Sequence, residues 1–453
     1  MPGGQEVFAV TSVVTAEAEA GHPSPAGPSR YGRMFPGLAP LVADLRLPVR
    51  AGGHGGICDA GAMPGPGGDD AAEPAGWPFF GQLIAHDITA DRAPITSGPH
   101  PEALRNARAP KLDLEMLYSD GPIGSPFLYD TGDPAKFLLG RPDGGDVPRN
   151  QQGVALIGDP RNDSHLFALT LHATMLRAHN RVVDLLRDNG VTDVFEQARQ
   201  ALAWHYQWIV VHDFLPRLVG LPLVEQVLDG GGRWFAPPPG QAWIPLEFSH
   251  AAFRYGHSQI RHTYRLARGG PELPLFPDLV GFRPVPAGRR LDPALIFDLP
   301  GHPPAQRAKR IDGRLPASLI ALPEQVTGTV DATAHRSLAV RDLLRGGIAG
   351  LPSGESVARH LGVTPLPADE RSWPQGTPLW IYVLNEARHH GGGDRLGPVG
   401  GRIVAEVLIG LLRADPASYL SREPDWRPTL PAAGPAFGLA DLLTLGCHAQ
   451  PAS

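Results

Sequence analysis

Cysteine is scarce: Cys58 and Cys447 are the only two in 453 residues. They lie far apart in a long chain and are more economically read as free thiols than as a staple, which speaks against a secreted, disulfide-built scaffold. An excess of one charge is also missing. The 40 basic and 46 acidic side chains leave a net charge of −6, which offers no basic footprint for nucleic acid and no polybasic surface for a membrane. No run approaches the roughly 20 apolar residues of a spanning helix. Residues 1–30 lack a positive segment followed by an apolar one, so no secretory signal is read and the expected location is the cytoplasm. In excess are glycine (55) and proline (50), with arginine far ahead of lysine, a bias of the kind left by a G+C-rich bacterial genome.

With 42% apolar residues the chain can bury a large core. Residues 1–75 are Gly/Pro/Ala-rich and poor in period, and read as a loosely structured N-terminal arm that wraps or dangles. Helical periods dominate from Trp77 onward, with Pro/Gly-rich connections near 237–240 and 270–305. No internal repeat and no linker with a composition shift is visible, so residues 76–430 form one expected domain and 431–453 a C-terminal tail.

The chemistry starts in Trp77-Pro78-Phe79-Phe80-Gly81-Gln82-Leu83-Ile84-Ala85-His86-Asp87. Pro78 suits the first turn of a helix, and Phe79, Phe80, Leu83 and Ile84 recur at helical spacing. Gln82 and His86 are four apart and share a face, whereas Asp87 is turned roughly 100° away. Further along, Leu112-Asp113-Leu114-Glu115 alternates acids in a loop, and Gly158-Asp159-Pro160-Arg161-Asn162-Asp163 is a turn by composition. An amphipathic helix is expected from Ser164 to Arg187. Phe253-Arg254-Tyr255-Gly256-His257-Ser258 sets a histidine beside a small residue, giving a planar group room to approach.

In this order, GQLIAHDITADRAP, GDPRND, LRAHNRVVDLL, FRYGHS and the segment Leu338–Gly346 resemble the animal-type haem peroxidase superfamily, which also holds the cyclooxygenases and fatty-acid dioxygenases. The resemblance runs from about residue 30, at Arg30-Tyr31-Gly32-Arg33-Met34-Phe35-Pro36, to about 425. It implies a mainly α fold, a single large helical domain with little β that encloses a haem between two helices.

The residue roles follow from the resemblance. His86 and Arg161 match the distal histidine and arginine, Gln82 the glutamine of the halide site, and His257 the axial ligand of the haem iron. Asp342 stands where the family usually has an asparagine that accepts a hydrogen bond from that ligand. A carboxylate there would give the imidazole more imidazolate character and lower the iron's reduction potential. Arg254 replaces the radical-forming tyrosine of the fatty-acid oxygenases, Tyr255 is a poor substitute for it, and Arg345 matches an arginine that pairs with a haem propionate. His179, Asn180 and Arg181 are read as structural hydrogen-bonders. Asp87, Asp113 and Glu115 are candidate calcium ligands, with Ala109 in place of a family hydroxyl.

The haem is expected to be haem b, held without covalent links: Ala85 and Ser164 replace the ester-forming acids, and His165 replaces a sulfonium-forming methionine. A single ester to Asp163, one residue away from Ser164, stays open. The implied function is a peroxidase that reduces hydrogen peroxide through a ferryl intermediate and oxidises a small organic donor, or a halide, by one electron at a time. The alternatives are an oxygenase acting on a fatty acid or secondary metabolite, and a non-catalytic haem-binding protein.

Overall fold

The computed structural model describes residues 29–42, 44, 46–61, 69–90, 104–141, 145–330, 332–367 and 369–447. Helices carry the architecture, because the long apolar stripes of the sequence have the 3.6-residue period. Those used below are α1 (Arg46–Gly52), α2 (Trp77–Ile88), α3 (Leu166–Asp188), α4 (Val194–Ile209), α5 (Leu338–Ile348), α6 (Leu379–Gly391), α7 (Pro398–Ala414) and α8 (Leu439–Cys447). Strands are only two to five residues long. β1 (Ser29–Gly32) pairs antiparallel with β3 (Arg105–Asn106) and parallel with β4 (Ile244–Pro245). β2 (Asp70–Pro74) pairs with β7 (Arg307–Lys309), and β5 (Thr263–Arg265) with β6 (Glu272–Pro274), both antiparallel. The mainly α expectation holds.

One apolar cluster extends from Tyr31 to Leu443, and α2 sits inside it. Phe79, Phe80, Leu83 and Ile84 are all buried, and Phe79 stacks on Phe167 of α3 with centroids 4.4 Å apart. The expected helix from Ser164 to Arg187 is α3, begun two residues later because His165 serves as its N-cap and accepts from Ala168 N. The helical run that opens with α4 continues through a π-helical turn (Val210–Phe214) to Val219, where Gly220 stops it at φ +86°. The glycines near 400 are packing residues, as expected. A Cβ on Gly400 would meet Val383 Cγ1 at 2.6 Å, so only glycine lets α7 approach α6 this closely.

The expected arm and tail are more integrated than their composition suggests. From residue 29 the N-terminal segment wraps rather than dangles: β1 and β2 join two sheets, α1 packs on α5, and Tyr31, Met34, Phe35, Ala51 and Cys58 are buried. Residues 1–28 lie outside the described part. At the other end α8 lies along α3 with Leu439, Leu442 and Leu443 buried. Both cysteines are free. No helix among the described residues is long and apolar enough to cross a membrane.

Candidate functional site

α2, the loop before α3, the segment Phe248–Ile260 and α5 meet around one cavity of about 1190 Å³ including its mouth. Gln82, His86, Arg161, Arg254, His257 and Arg345 all line it. These residues were named from four separate stretches of sequence, and the fold brings them to one place.

His86 is buried and its Nδ1 lies 2.8 Å from Asn162 Oδ1. Asn162 Nδ2 donates to Met116 Sδ (3.2 Å) and His172 Nδ1 (3.0 Å). A thioether sulfur can only accept, so the amide orientation is fixed, Oδ1 faces His86, and Nδ1 of His86 must carry the proton. Nε2 is then the basic nitrogen of His86. Burial, followed by the nearby Arg161 charge, pushes its pKa down to about 3, so the ring is neutral at ordinary pH.

Arg161 is braced. Its Nε and Nη2 donate to Asp159 (3.0 and 2.6 Å), and Nη2 also reaches the carbonyls of His86 (3.0 Å) and Thr89 (2.8 Å). Nη1 has no partner among the described residues. Burial alone would raise the pKa of Asp159, but Arg161 and Arg108 hold it far below the usual carboxylate range.

On the other wall His257 lies in a 3₁₀ helix, Ala252–Gln259, rather than an α-helix. Residues three apart eclipse in that geometry, so Arg254 and His257 project together, while Tyr255 projects in another direction, toward Gly81 of α2. Both reach one carboxylate: His257 Nδ1 donates to Asp342 Oδ2 at 2.6 Å, and Arg254 Nη1 to Oδ1 at 2.8 Å. Asp342 is completely buried. Burial would raise its pKa, but His257 and Arg254 outweigh that and keep it ionised. A Cβ on Gly256 would stand 3.7 Å from Pro78, an ordinary contact, so the glycine abuts the start of α2 as well as the cavity.

The candidate calcium ligands are arranged differently from the expectation. Asp87 points away from the cavity, as its position after His86 requires, and accepts from the backbone N–H of Leu114 (3.1 Å) and Met116 (3.4 Å). Burial, then the Asp113 charge, raise its pKa. Glu115 is taken by Arg108 at 2.9 Å, and the same guanidinium also pairs with Asp159. Among the described residues no group of three or more His, Cys, Asp or Glu side chains is gathered to hold a metal ion. The set does not fit a three-carboxylate calcium site, because Arg108 already supplies the cation that Glu115 needs.

Asp163 is also committed elsewhere. Both its oxygens accept from Arg149 at 2.7 Å, and it does not line the cavity. His179 and Asn180 are structural: His179 bonds Tyr118 Oη and Ala135 O (2.9 Å each), and Asn180 brackets the backbone of Phe137. Arg181, by contrast, is exposed.

Residues 102–275 match the animal haem peroxidase family. The match spans a little over a third of the chain. The matched span holds Arg161 and His257, while His86, which lines the cavity, and Asp342, which lies behind His257, fall outside it. Chorion peroxidase of Aedes aegypti is 32% identical over 26% of this chain and only 16% of its own length. Among solved structures, peroxidase A from Dictyostelium discoideum superposes with a TM-score of 0.62 at 15% identity, covering 98% of this chain and 93% of that one. The fatty acid alpha-dioxygenase of Arabidopsis thaliana gives 0.60 at 14% identity, covering 98% and 81%. At such identities the likeness is one of fold. Against that frame, reading the peroxidase motifs alone missed Asn162, His172 and the hydrogen-bonding part of His165. A signal was present: His172 and His179, seven residues apart, lie on one side of α3, and His165 stands at its N-cap.

Asn162→Leu should leave His86 Nδ1 and His172 Nδ1 buried without partners, each at a cost of about 1–3 kcal/mol. Chemical denaturation should show a clear loss of stability; an unchanged midpoint would mean that the string does not form.

Proposed function

We propose that this protein is a peroxidase of the animal haem peroxidase superfamily, holding haem b without covalent links and using hydrogen peroxide to oxidise a small organic donor or a halide. One observation carries the reading. Two histidines from separate segments line a single cavity, and each donates Nδ1–H to a fixed acceptor, Asn162 for His86 and Asp342 for His257, so Nε2 is the ring nitrogen that each has left for chemistry.

The residues fit the cofactor. His257 Nε2 would bind the iron, and Asp342 gives the ligand the oriented, more basic imidazole that metal sites use. Arg254 and Arg345 line the same cavity with positive charge suited to propionates. Haem held there would supply the redox centre that accepts peroxide and withdraws electrons from the donor. His86 Nε2 takes a proton from peroxide and can return it to the outgoing oxygen. Arg161, fixed by Asp159, offers its Nη1 arm to negative charge on that oxygen. Non-covalent retention is supported by Ala85 and Ser164 at the ester positions and by the engagement of Asp163 with Arg149.

Adding hemin to the purified protein should give one equivalent of a Soret-absorbing complex. Acidified acetone should extract the pigment, and peroxide should be consumed with a phenolic donor. A preparation that takes up no hemin overturns the reading, and one that binds hemin without turnover makes the protein a carrier.

Oxygenase chemistry is favoured by a separate observation. Tyr255 lines the cavity, and its hydroxyl lies 3.3 Å from where a Cβ on Gly81 of α2 would be. Oxygen uptake with a fatty acid in the absence of peroxide, lost in Tyr255→Phe, would replace the peroxidase reading.

A further inference from the structure

His165 occupies the cavity wall beside Gln82, and its hydrogen bonds admit only one arrangement. The backbone N–H of Ala168 donates to Nδ1 at 3.2 Å. An N–H cannot accept, so Nδ1 carries the lone pair. The ring is neutral, because burial and then the neighbouring His86 push its pKa down to about 3, and the proton therefore sits on Nε2. Nε2 lies 3.0 Å from Gln82 Oε1, so His165 donates to the carbonyl end of the carboxamide. The NH₂ end of Gln82 has no partner among the described residues, and the side chain lines the cavity.

We infer that His165 is a positioning residue that locks the Gln82 carboxamide with its N–H groups toward the cavity, making that wall a donor site selective for small anions over neutral ligands. Unrestrained, a glutamine amide can present either its carbonyl or its NH₂, and a carbonyl would repel an anion. The helix N-cap thus sets the polarity of the distal wall: the α3 backbone fixes the histidine tautomer, the tautomer fixes the amide, and the amide selects the ligand charge. Arg161, on the same wall, adds positive charge. The inference rests on the peroxidase reading for the identity of the cavity but not for the tautomer.

The experiment compares His165→Leu and His165→Gln with the parent protein, each loaded with hemin and titrated with thiocyanate and, separately, with neutral imidazole, both followed in the Soret band. His165→Leu frees the amide and should weaken thiocyanate about tenfold while changing imidazole by less than twofold. His165→Gln can accept from Ala168 and donate to Gln82, and should restore thiocyanate binding. Equal losses for both ligands, or none, overturn the proposal. A long-range proton–nitrogen spectrum of the apoprotein supplies a second readout. His165 should appear as the Nε2–H tautomer, and an Nδ1–H tautomer defeats the proposal whether or not the Leu variant folds. If hemin is not taken up at all, the peroxidase reading fails while the spectrum still decides the role of His165.

Discussion

Replacing His86 with alanine should slow the reaction with hydrogen peroxide by about 10²–10⁴-fold, the range over which a positioned general acid–base group contributes. The reason lies in the fixed tautomer. Asn162 holds Nδ1–H, and the low pKa keeps Nε2 unprotonated, so the parent protein has its base ready across neutral pH. Alanine removes the base without touching His257 or Asp342, and hemin uptake should persist. Stopped-flow mixing of the hemin-loaded variant with peroxide reads the rate, and a hemin titration reads the control. An unchanged rate would remove His86 from the proton-transfer role.

Replacing Asp342 should have the largest structural consequence. Its carboxylate is fully buried and shared by His257 and Arg254, so Asp342→Ala leaves a mostly buried guanidinium without its counter-ion. Breaking a buried pair from one side costs about 3–5 kcal/mol, and loss of the ligand's partner typically lowers metal-site affinity 10–100-fold. Reduced thermal stability together with weakened hemin retention is the expected outcome. Asp342→Asn separates charge from hydrogen bonding. It keeps an acceptor for His257 Nδ1–H but gives a less basic ligand, and should raise the reduction potential of the bound haem in a spectroelectrochemical titration. If Asn and Asp give equal potentials, the carboxylate does not tune the ligand.

Much of the site was legible because helical periodicity and short motifs are local. The spacing of Gln82 and His86 put both on one face of α2, and both line the cavity; the same geometry turned Asp87 away to the backbone of Leu114 and Met116. The calcium expectation meets a contact that spacing does not carry. Glu115 pairs with Arg108, a residue outside the acidic pattern. In the described residues between 29 and 75, composition does not reveal the burial, because glycine and proline lower periodicity without preventing it, and the short strands pair with residues 244–245 and 307–309.

The sequence by itself determined the mainly helical class, the candidate histidines and arginine that line the cavity, and the residue types Ala85 and Ser164 near them, since each is a matter of residue type and near-neighbour spacing. Only the tertiary structure decided which nitrogen of each histidine bears the proton, that Asn162 and His172 stand behind His86, and that His165 governs Gln82. Those assignments depend on acceptors and donors brought from distant parts of the chain, such as Met116 beside Asn162 and Asp342 beside His257. A hydrogen bond has a direction that a list of residues does not contain until folding supplies its other end.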